Sequence, residues 1–189
     1  MSEKLSEPND RRVRRTRMAL RAALISLLPK RGWDDLSVHE ICERANVGRS
    51  TFYMHYQSKE QLLADGLGDL RKVLMVEASE RRRTSPKTLP FVRGLMEHVY
   101  EQRSLFRSLI GRGSGHVVQM RFRQMVLQLV NEELSLHVDQ GWERDAASNY
   151  ISGALVELLG WWVDSRTLRS VEEVEQFFHN LTSTVIRRL

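Results

Sequence analysis

Residues 37–59 have the residue types and spacing of two short helices joined by a tight turn. Ser37 and Glu40 have the three-residue spacing of a capping box, which starts a helix. Asn46 falls where the chain must turn sharply, and Asn tolerates the left-handed backbone conformation better than most residues. Gly48 is an acceptable N-cap for the next helix, and Phe52 is expected to point inward and hold that helix against the first. The segment therefore predicts a helix-turn-helix.

Several side chains of this segment have the chemistry to contact DNA, because a helix-turn-helix places its second helix in the major groove. Arg49, near the start of that helix, has the geometry to pair bidentately with guanine. Tyr56 and Lys59 flank Ser58, the predicted cap of the following helix, and a helix N-terminus favours a phosphate. The candidate DNA-binding residues are Ser37, His39, Arg49, Ser50, Thr51, Tyr53, His55, Tyr56 and Lys59.

Residues 12–65 resemble the DNA-binding domain of the tetracycline-repressor (TetR) family of bacterial transcription regulators. The matching features are Ala45, Phe52-Tyr53, His55-Tyr56 and Ser58-Lys59-Glu60. The chain has Asn46 where the family usually carries Gly, and Gly48 where it often has Ser or Thr; both substitutes are physically tolerable. The resemblance implies a homodimeric regulator, most often a repressor, whose body binds a small-molecule effector or a protein partner. A symmetric dimer predicts a pseudo-palindromic operator of double-stranded DNA.

The basic charge of the chain is concentrated at its N-terminal end. Residues 1–59 hold 12 Lys and Arg against 7 Asp and Glu, whereas residues 60–189 hold 17 of each. Sequence-independent DNA affinity comes from neutralising phosphates, so a basic head on a neutral body is the expected distribution. The run of five arginines in residues 11–17 is a candidate DNA-contacting arm; a solvated first helical turn is the alternative.

Composition indicates an ordinary soluble protein, since 41% of the 189 residues are apolar and 28% are charged. No apolar run approaches the roughly 20 residues of a membrane span. The N-terminus lacks the apolar segment of a secretory signal, and Cys42 cannot form an internal disulfide, so a reducing cytoplasm is expected. No cofactor is predicted. His39 and Cys42 lie one helical turn apart, but no second pair of ligands suggests a metal site.

The pattern along the chain predicts an all-α protein of about nine helices with almost no strand. We expect a mobile tail over residues 1–10, a helix-turn-helix domain over 11–58 and a helical ligand-binding and dimerisation domain over 59–189. The first helix is predicted at 12–28, with Pro29 weakening its last turn. A fourth helix is predicted from the Ser58 cap, with Gln61 completing a capping box, to about residue 79, and a loop follows at 80–86. Further helices are predicted at 88–102, 104–110, 116–138, 144–165 and 171–188.

Two apolar stripes near the C-terminus have the spacing of helix–helix seams. The stripes face either the core of their own subunit or a second copy of the chain. Because two such stripes lie at the end of a small helical chain, we favour an intersubunit four-helix bundle. The predicted interface residues are Ala147, Ile151, Ala154, Leu158, Trp161, Val171, Val174, Phe178, Leu181 and Val185.

An effector pocket is the less specific prediction for the body. Met adapts to irregular cavities, and Glu157 interrupts an otherwise apolar stretch. The candidate pocket residues are Met96, Phe106, Met120, Phe122, Met125, Glu157 and Trp162. Two other classes of function stay open: an architectural DNA-binding protein without an effector, and an enzyme acting on an acidic substrate. No convergent set of acid, base and nucleophile supports the enzyme, so we predict a non-enzyme.

Overall fold

The structure, a computed structural model, describes residues 7–84, 89–111, 115–167 and 169–186. Within these residues the chain forms nine α-helices and no strand, which confirms the all-α prediction. None of the helices in the described ranges is long and apolar enough to cross a membrane. The helices are α1 (Glu7–Arg31), α2 (Val38–Ala45), α3 (Arg49–His55), α4 (Lys59–Thr84), α5 (Phe91–Glu101), α6 (Arg103–Ile110), α7 (His116–Leu134), α8 (Trp142–Asp164) and α9 (Val171–Ile186).

The chain divides into two compact units, one ending at Gly66 and the other beginning at Leu67. The division falls inside α4, whereas the sequence predicted it just ahead of that helix. In the first unit, α1 packs on α2 and α2 packs on α3. The side chains that close its core are almost fully buried: Leu20, Leu28, Leu36, Ile41, Phe52 and Leu62.

The first helix is longer at both ends than predicted. It begins at Glu7, so residues 7–10 are helical rather than part of a mobile tail, and residues 1–6 lie outside the described residues. Pro29 stands inside the last turn and does not end the helix. Gly32 does: its φ of +76° is in the left-handed region, and its N–H donates to the carbonyl of Leu28 at 3.0 Å.

The loop predicted at 80–86 is wrong for residues 80–84, because α4 continues to Thr84. Residues 85 and 86 lie outside the described residues. The arginines of this stretch form ion pairs that the sequence pattern could not show. Arg81 pairs with Glu97 of α5 at 2.7 Å, and Arg82 donates to both carboxylate oxygens of Glu133 on α7 at 2.7 Å. Arg is also a good helix former, so the basic run extends the helix.

In the second unit α8 is the central helix, with its most extensive contact to α7 and further contacts to α5, α6 and α9. Its buried stripe explains this position, because the side chains along it are fully enclosed: Ile151, Leu155, Leu159 and Trp162. Four residues of the predicted dimer interface are therefore buried in the core of their own subunit: Ala147, Ile151, Val174 and Phe178.

The outward faces of α8 and α9 carry large apolar side chains, of which Trp161 and Leu181 belong to the predicted interface and Tyr150 and Phe177 do not. On α9, Phe177 is 55% exposed and Leu181 62% exposed, whereas Phe178 is 2% exposed. On α8, Tyr150 and Trp161 are exposed. The remaining predicted interface residues are partly or fully exposed: Ala154, Leu158, Val171 and Val185. Spacing shows which residues share a stripe, but the neighbouring helices decide which stripe turns inward.

Five of the seven predicted pocket residues are core residues of the second unit: Met96, Phe106, Phe122, Met125 and Trp162. Phe106 and Phe122 pack edge to face with their ring centroids 5.9 Å apart, and the Trp162 indole donates to the carbonyl of Arg169 at 3.1 Å. The other two, Met120 and Glu157, line a cleft of about 460 Å³ between the end of α6, α7 and α8.

The Arg82–Glu133 pair gives a stability prediction, because Glu133 is 1% exposed while its neighbour Glu132 is 39% exposed and pairs with Arg71. Glu133→Gln should lower the free energy of unfolding by up to about 3 kcal/mol, because Arg82 then loses the buried carboxylate with which it pairs. Glu132→Gln, the matched control, should cost less than about 1 kcal/mol. Urea unfolding followed by circular dichroism measures both; equal losses would contradict the assignment of Glu133 as the structural partner.

Candidate nucleic-acid interface

The start of α2 is fixed by the capping box that the sequence predicts. The Ser37 hydroxyl accepts from the N–H of Glu40 at 3.2 Å, and a Glu40 carboxylate oxygen accepts from the N–H of Ser37 at 2.9 Å. The backbone N–H of Ser37 and then Arg31, which donates to the same carboxylate, lower the pKa of Glu40 to about 2. Ser37 was predicted to contact DNA, but its hydroxyl is already hydrogen-bonded to Glu40 as the cap of α2.

The turn between α2 and α3 has the conformation that Asn46 and Gly48 predict. Asn46 is left-handed, with φ 51° and ψ 47°, and it ends α2. Gly48 has extended backbone and begins α3 as an N-cap without a side chain; its carbonyl accepts from the N–H of Phe52 at 3.0 Å. The turn confirms the helix-turn-helix, in which α3 packs on α2.

The inner face of α3 is apolar and aromatic. Phe52 is fully buried, as predicted, and its ring centroid lies 5.9 Å from that of Tyr56. The candidate base-contacting residues occupy the remaining faces: Arg49, Ser50 and Tyr53 are exposed, and Thr51 and His55 are half-buried. The structure thus brings these five predicted side chains together on the outside of one short helix.

Sequence reasoning missed Met54, which is 74% exposed and lies on this same surface. Apolar residues in amphipathic helices are normally assigned to the core, so Met54 was not counted among the outward residues. Its position relative to Phe52 was the available signal. Residues two apart in a helix are about 200° apart around the axis, so an inward Phe52 turns Met54 outward.

Tyr56 differs from its predicted role, because its side chain is buried rather than presented to DNA. Its hydroxyl donates to a carboxylate oxygen of Asp65 at 2.5 Å and accepts from the Arg17 guanidinium at 3.1 Å. Arg17 and Arg21 each also pair with Asp65 at 2.6 Å. The structure therefore makes Tyr56 a member of a cluster, here called the Asp65 cluster, of Arg17, Arg21, Tyr56 and Asp65.

The electrostatics of the Asp65 cluster keep its carboxylate ionised. Burial alone would raise the pKa of Asp65, but the hydrogen bonds from Tyr56 and Arg21 outweigh it, so the pKa lies below its ordinary value. Burial, followed by the hydrogen bond to Asp65, raises the pKa of Tyr56. The cluster therefore holds a charged carboxylate between two guanidinium groups and a neutral phenol, and it joins α1, the end of α3 and α4.

Lys59 is also held inside the first unit. Its ammonium group donates to the carbonyls of Trp33 and Leu36 at 2.7 and 2.8 Å and lies 4.7 Å from the centre of the Trp33 ring. These contacts tie the start of α4 to the connection after α1. The predicted cap is loose: Ser58 accepts from the N–H of Gln61 at 3.4 Å, and the Gln61 side chain accepts from the N–H of Gln57 instead of closing the box.

His39, a predicted DNA contact, and Cys42, which lies one helical turn from it on α2, are in different environments. His39 is exposed, with its ring 3.4 Å from the carboxylate of Glu43, an ion pair only when the ring is protonated. Cys42 is buried, and burial raises the pKa of its thiol. His39 is therefore the one of the two that faces outward from α2.

The comparisons with known proteins agree with this geometry. Residues 20–65 match a family described as bacterial regulatory proteins of the tetR family. This segment of the chain is similar to that family. The match covers α2, α3, part of α1 and the beginning of α4, and it includes every member of the Asp65 cluster except Arg17.

The likeness to a curated relative extends beyond the helix-turn-helix. The chain is 26% identical to an uncharacterised helix-turn-helix-type transcriptional regulator of Bacillus subtilis (YxbF), over 87% of this chain and 44% of that protein. The chain thus spans less than half the length of this relative.

Solved structures of bacterial regulators share the fold over nearly the whole chain. A regulator from Streptococcus agalactiae is 24% identical, with a TM-score of 0.69 over 94% of this chain and 98% of that one. NalD, the secondary repressor of the MexAB-OprM multidrug efflux pump in Pseudomonas aeruginosa, is 17% identical, with a TM-score of 0.66 over 92% of this chain and 96% of that one. At these identities the likeness establishes the fold.

The Asp65 cluster gives a prediction about stability and pH. Asp65→Asn should lower the free energy of unfolding by roughly 1–3 kcal/mol at pH 7, because hydrogen bonds to a charged group are lost. The pKa of Asp65 is lowered on folding, so its stabilising effect is complete above its ordinary pKa of about 3.9 and is lost as pH falls through the lower folded value.

Chemical unfolding of both proteins between pH 7 and pH 3 measures this difference. The gap between wild type and Asp65→Asn should be constant down to about pH 5 and should narrow below pH 4. Tyr56→Phe, which removes one hydroxyl and keeps the ring against Phe52, is the matched control and should cost only about 1 kcal/mol. A gap that widens in acid would show that the carboxylate is not the stabilising group.

Proposed function

We propose that this protein is a DNA-binding transcription regulator, a repressor that acts as a homodimer and places one α3 in the major groove of each operator half-site. One observation carries the proposal: α3 is anchored by Phe52 and Tyr56 on one side and presents hydrogen-bonding side chains on the other. A recognition helix needs this combination of a fixed inner face and a chemically varied outer face.

The distribution of charge supports a DNA partner. The formal excess of +5 lies within residues 1–59, and residues 60–189 are neutral overall. Arg11, Arg12, Arg14 and Arg15 are exposed in the first turns of α1, so they are placed to neutralise phosphates while the helix stays intact. Arg17 and Arg21 on the same helix serve the Asp65 cluster instead. Phosphate contacts then position the protein, and α3 supplies the base contacts.

The surface contacts proposed for DNA are fewer than the sequence suggested. Arg49, Ser50, Thr51, Tyr53 and His55 remain the base-contacting candidates, and His39 is an outward candidate on α2. Tyr56 and Lys59 act mainly by positioning α3 and the start of α4, because their polar atoms already bind groups of their own chain.

The homodimer rests on the outward faces of α8 and α9. Tyr150, Trp161, Phe177 and Leu181 are each about half exposed or more in the single chain. Apolar side chains concentrated on neighbouring helix faces mark protein–protein contact sites, and a two-fold contact would bury each of them twice. Two linked chains would present two copies of α3 to the two halves of a pseudo-palindrome.

An effector would bind in the second unit, in the cleft between α6, α7 and α8. Its volume of about 460 Å³ suits a small organic molecule. Met120 and Trp161 supply apolar surface, and Arg123 pairs with Glu157 at 2.8 Å beside them. An effector shifts operator affinity only if it binds the DNA-bound and free states unequally. An architectural protein without effector is the alternative, and it predicts that no small molecule alters operator affinity.

Selection of bound duplexes from a random pool tests the proposed function. The full-length protein should enrich a pseudo-palindrome, and its affinity should fall steeply as salt rises, because phosphate contacts release counterions. Failure to enrich any sequence, together with salt-independent binding, would reject the proposal.

Arg49→Ala is expected to weaken binding to the selected duplex by about 5- to 150-fold for each half-site and to relax the preference at one base pair per half-site. The matched control is Arg121→Ala, which removes an exposed arginine of α7 and should leave both properties unchanged. Fluorescence anisotropy on the selected duplex and its single-base variants measures the effect. If all sequences lose affinity equally, Arg49 contacts a phosphate rather than a base.

Phe177→Glu combined with Leu181→Glu should give a folded monomer that no longer binds the two half-sites together. Both side chains are exposed in the single chain, so the subunit core stays intact, whereas each contributes about 1.5–3 kcal/mol when buried between subunits. Phe178→Glu is the contrasting variant, because it places a charge in the core and should unfold the second unit. Light scattering with circular dichroism distinguishes the cases; a folded dimer of the double variant would exclude this face.

A further inference from the structure

The outermost face of α3 is formed by Ser50 and Met54. Consecutive helical residues are 100° apart, so the residues two positions before and two positions after the buried Phe52 both lie opposite it. Ser50 is exposed, and Met54 at 74% is more exposed than Tyr53 at 51%. Met54 therefore lies near the centre of the surface that α3 presents to a partner.

Methionine has limited chemistry at such a position. Its thioether has no hydrogen-bond donor and only a weak acceptor, so it cannot match the donors and acceptors of base edges. It is also long, unbranched and polarisable, which lets it fit closely against a small apolar group. In the major groove the thymine 5-methyl group is the apolar group that a base edge presents.

We propose that Met54 packs against the 5-methyl group of a thymine in each operator half-site and so determines specificity at that base pair. The proposal rests on the proposed function, because it requires α3 to lie in the major groove. Ser50 lies one turn earlier on the same face, about 6 Å along the helix axis. Its hydroxyl, which is both donor and acceptor, would contact a base pair close to that thymine.

Replacing thymine by uracil tests the contact, because uracil lacks only the methyl group. In the selected duplex, each thymine position is replaced in both half-sites at once. At one of these positions, uracil in both half-sites should weaken binding of the wild-type protein by about 15-fold relative to the thymine duplex. This corresponds to about fourfold for each of the two lost methyl contacts. Met54→Ala and Met54→Gln should bind the thymine duplex more weakly, and uracil at that position should not weaken them further.

Leu136→Ala is the matched control, since it removes an exposed apolar side chain of similar size that follows α7 in the second unit; it should keep the uracil sensitivity of the wild type. Circular dichroism should show both Met54 variants folded, because the side chain contributes little to the core. The proposal is overturned if uracil has no effect at any position, or if the effect persists in Met54→Ala and Met54→Gln. Failure of the proposed function would appear earlier, as the absence of a selected duplex.

Discussion

The carboxylate of Asp65 is the interaction on which the geometry of the first unit depends. It lies on α4, yet it binds two arginines of α1 and the hydroxyl of Tyr56 at the end of α3. A helix as short as α3 is not stable by itself in water, because helix nucleation is costly. Its position must come from tertiary contacts, and the ring pair of Phe52 and Tyr56 with the Asp65 cluster supplies them on its inner side.

The same arrangement explains how one basic helix serves two purposes. Arg17 and Arg21 form ion pairs with Asp65, whereas the arginines before them remain exposed. A charge count cannot separate these two groups, because each contributes equally to the total. The ion pairs with Asp65 of α4 separate them, because they neutralise Arg17 and Arg21 and leave the exposed arginines before them to form a positive surface that an anion can approach.

Features that depend on neighbouring residues in the chain were predictable from the sequence, and features that depend on distant partners were not. The Ser37–Glu40 capping box, the left-handed Asn46, the Gly48 cap and the inward Phe52 are all set within a few residues. Tyr56 and Phe178 were assigned to surfaces, although Asp65 in one case and the packing of the second unit in the other bury them. Amphipathic side chains such as Lys59 suit either environment, so residue type alone does not decide between them.

Cys42 lies in the core of the first unit, and it is the only cysteine of the chain. Its thiol is shielded and its pKa is raised by burial, while a thiol must be both accessible and ionised to react. The rate at which an alkylating reagent modifies this protein therefore measures how often the first unit opens. The native sequence thus contains a single chemical reporter of the integrity of the helix-turn-helix, and no label has to be introduced to follow it.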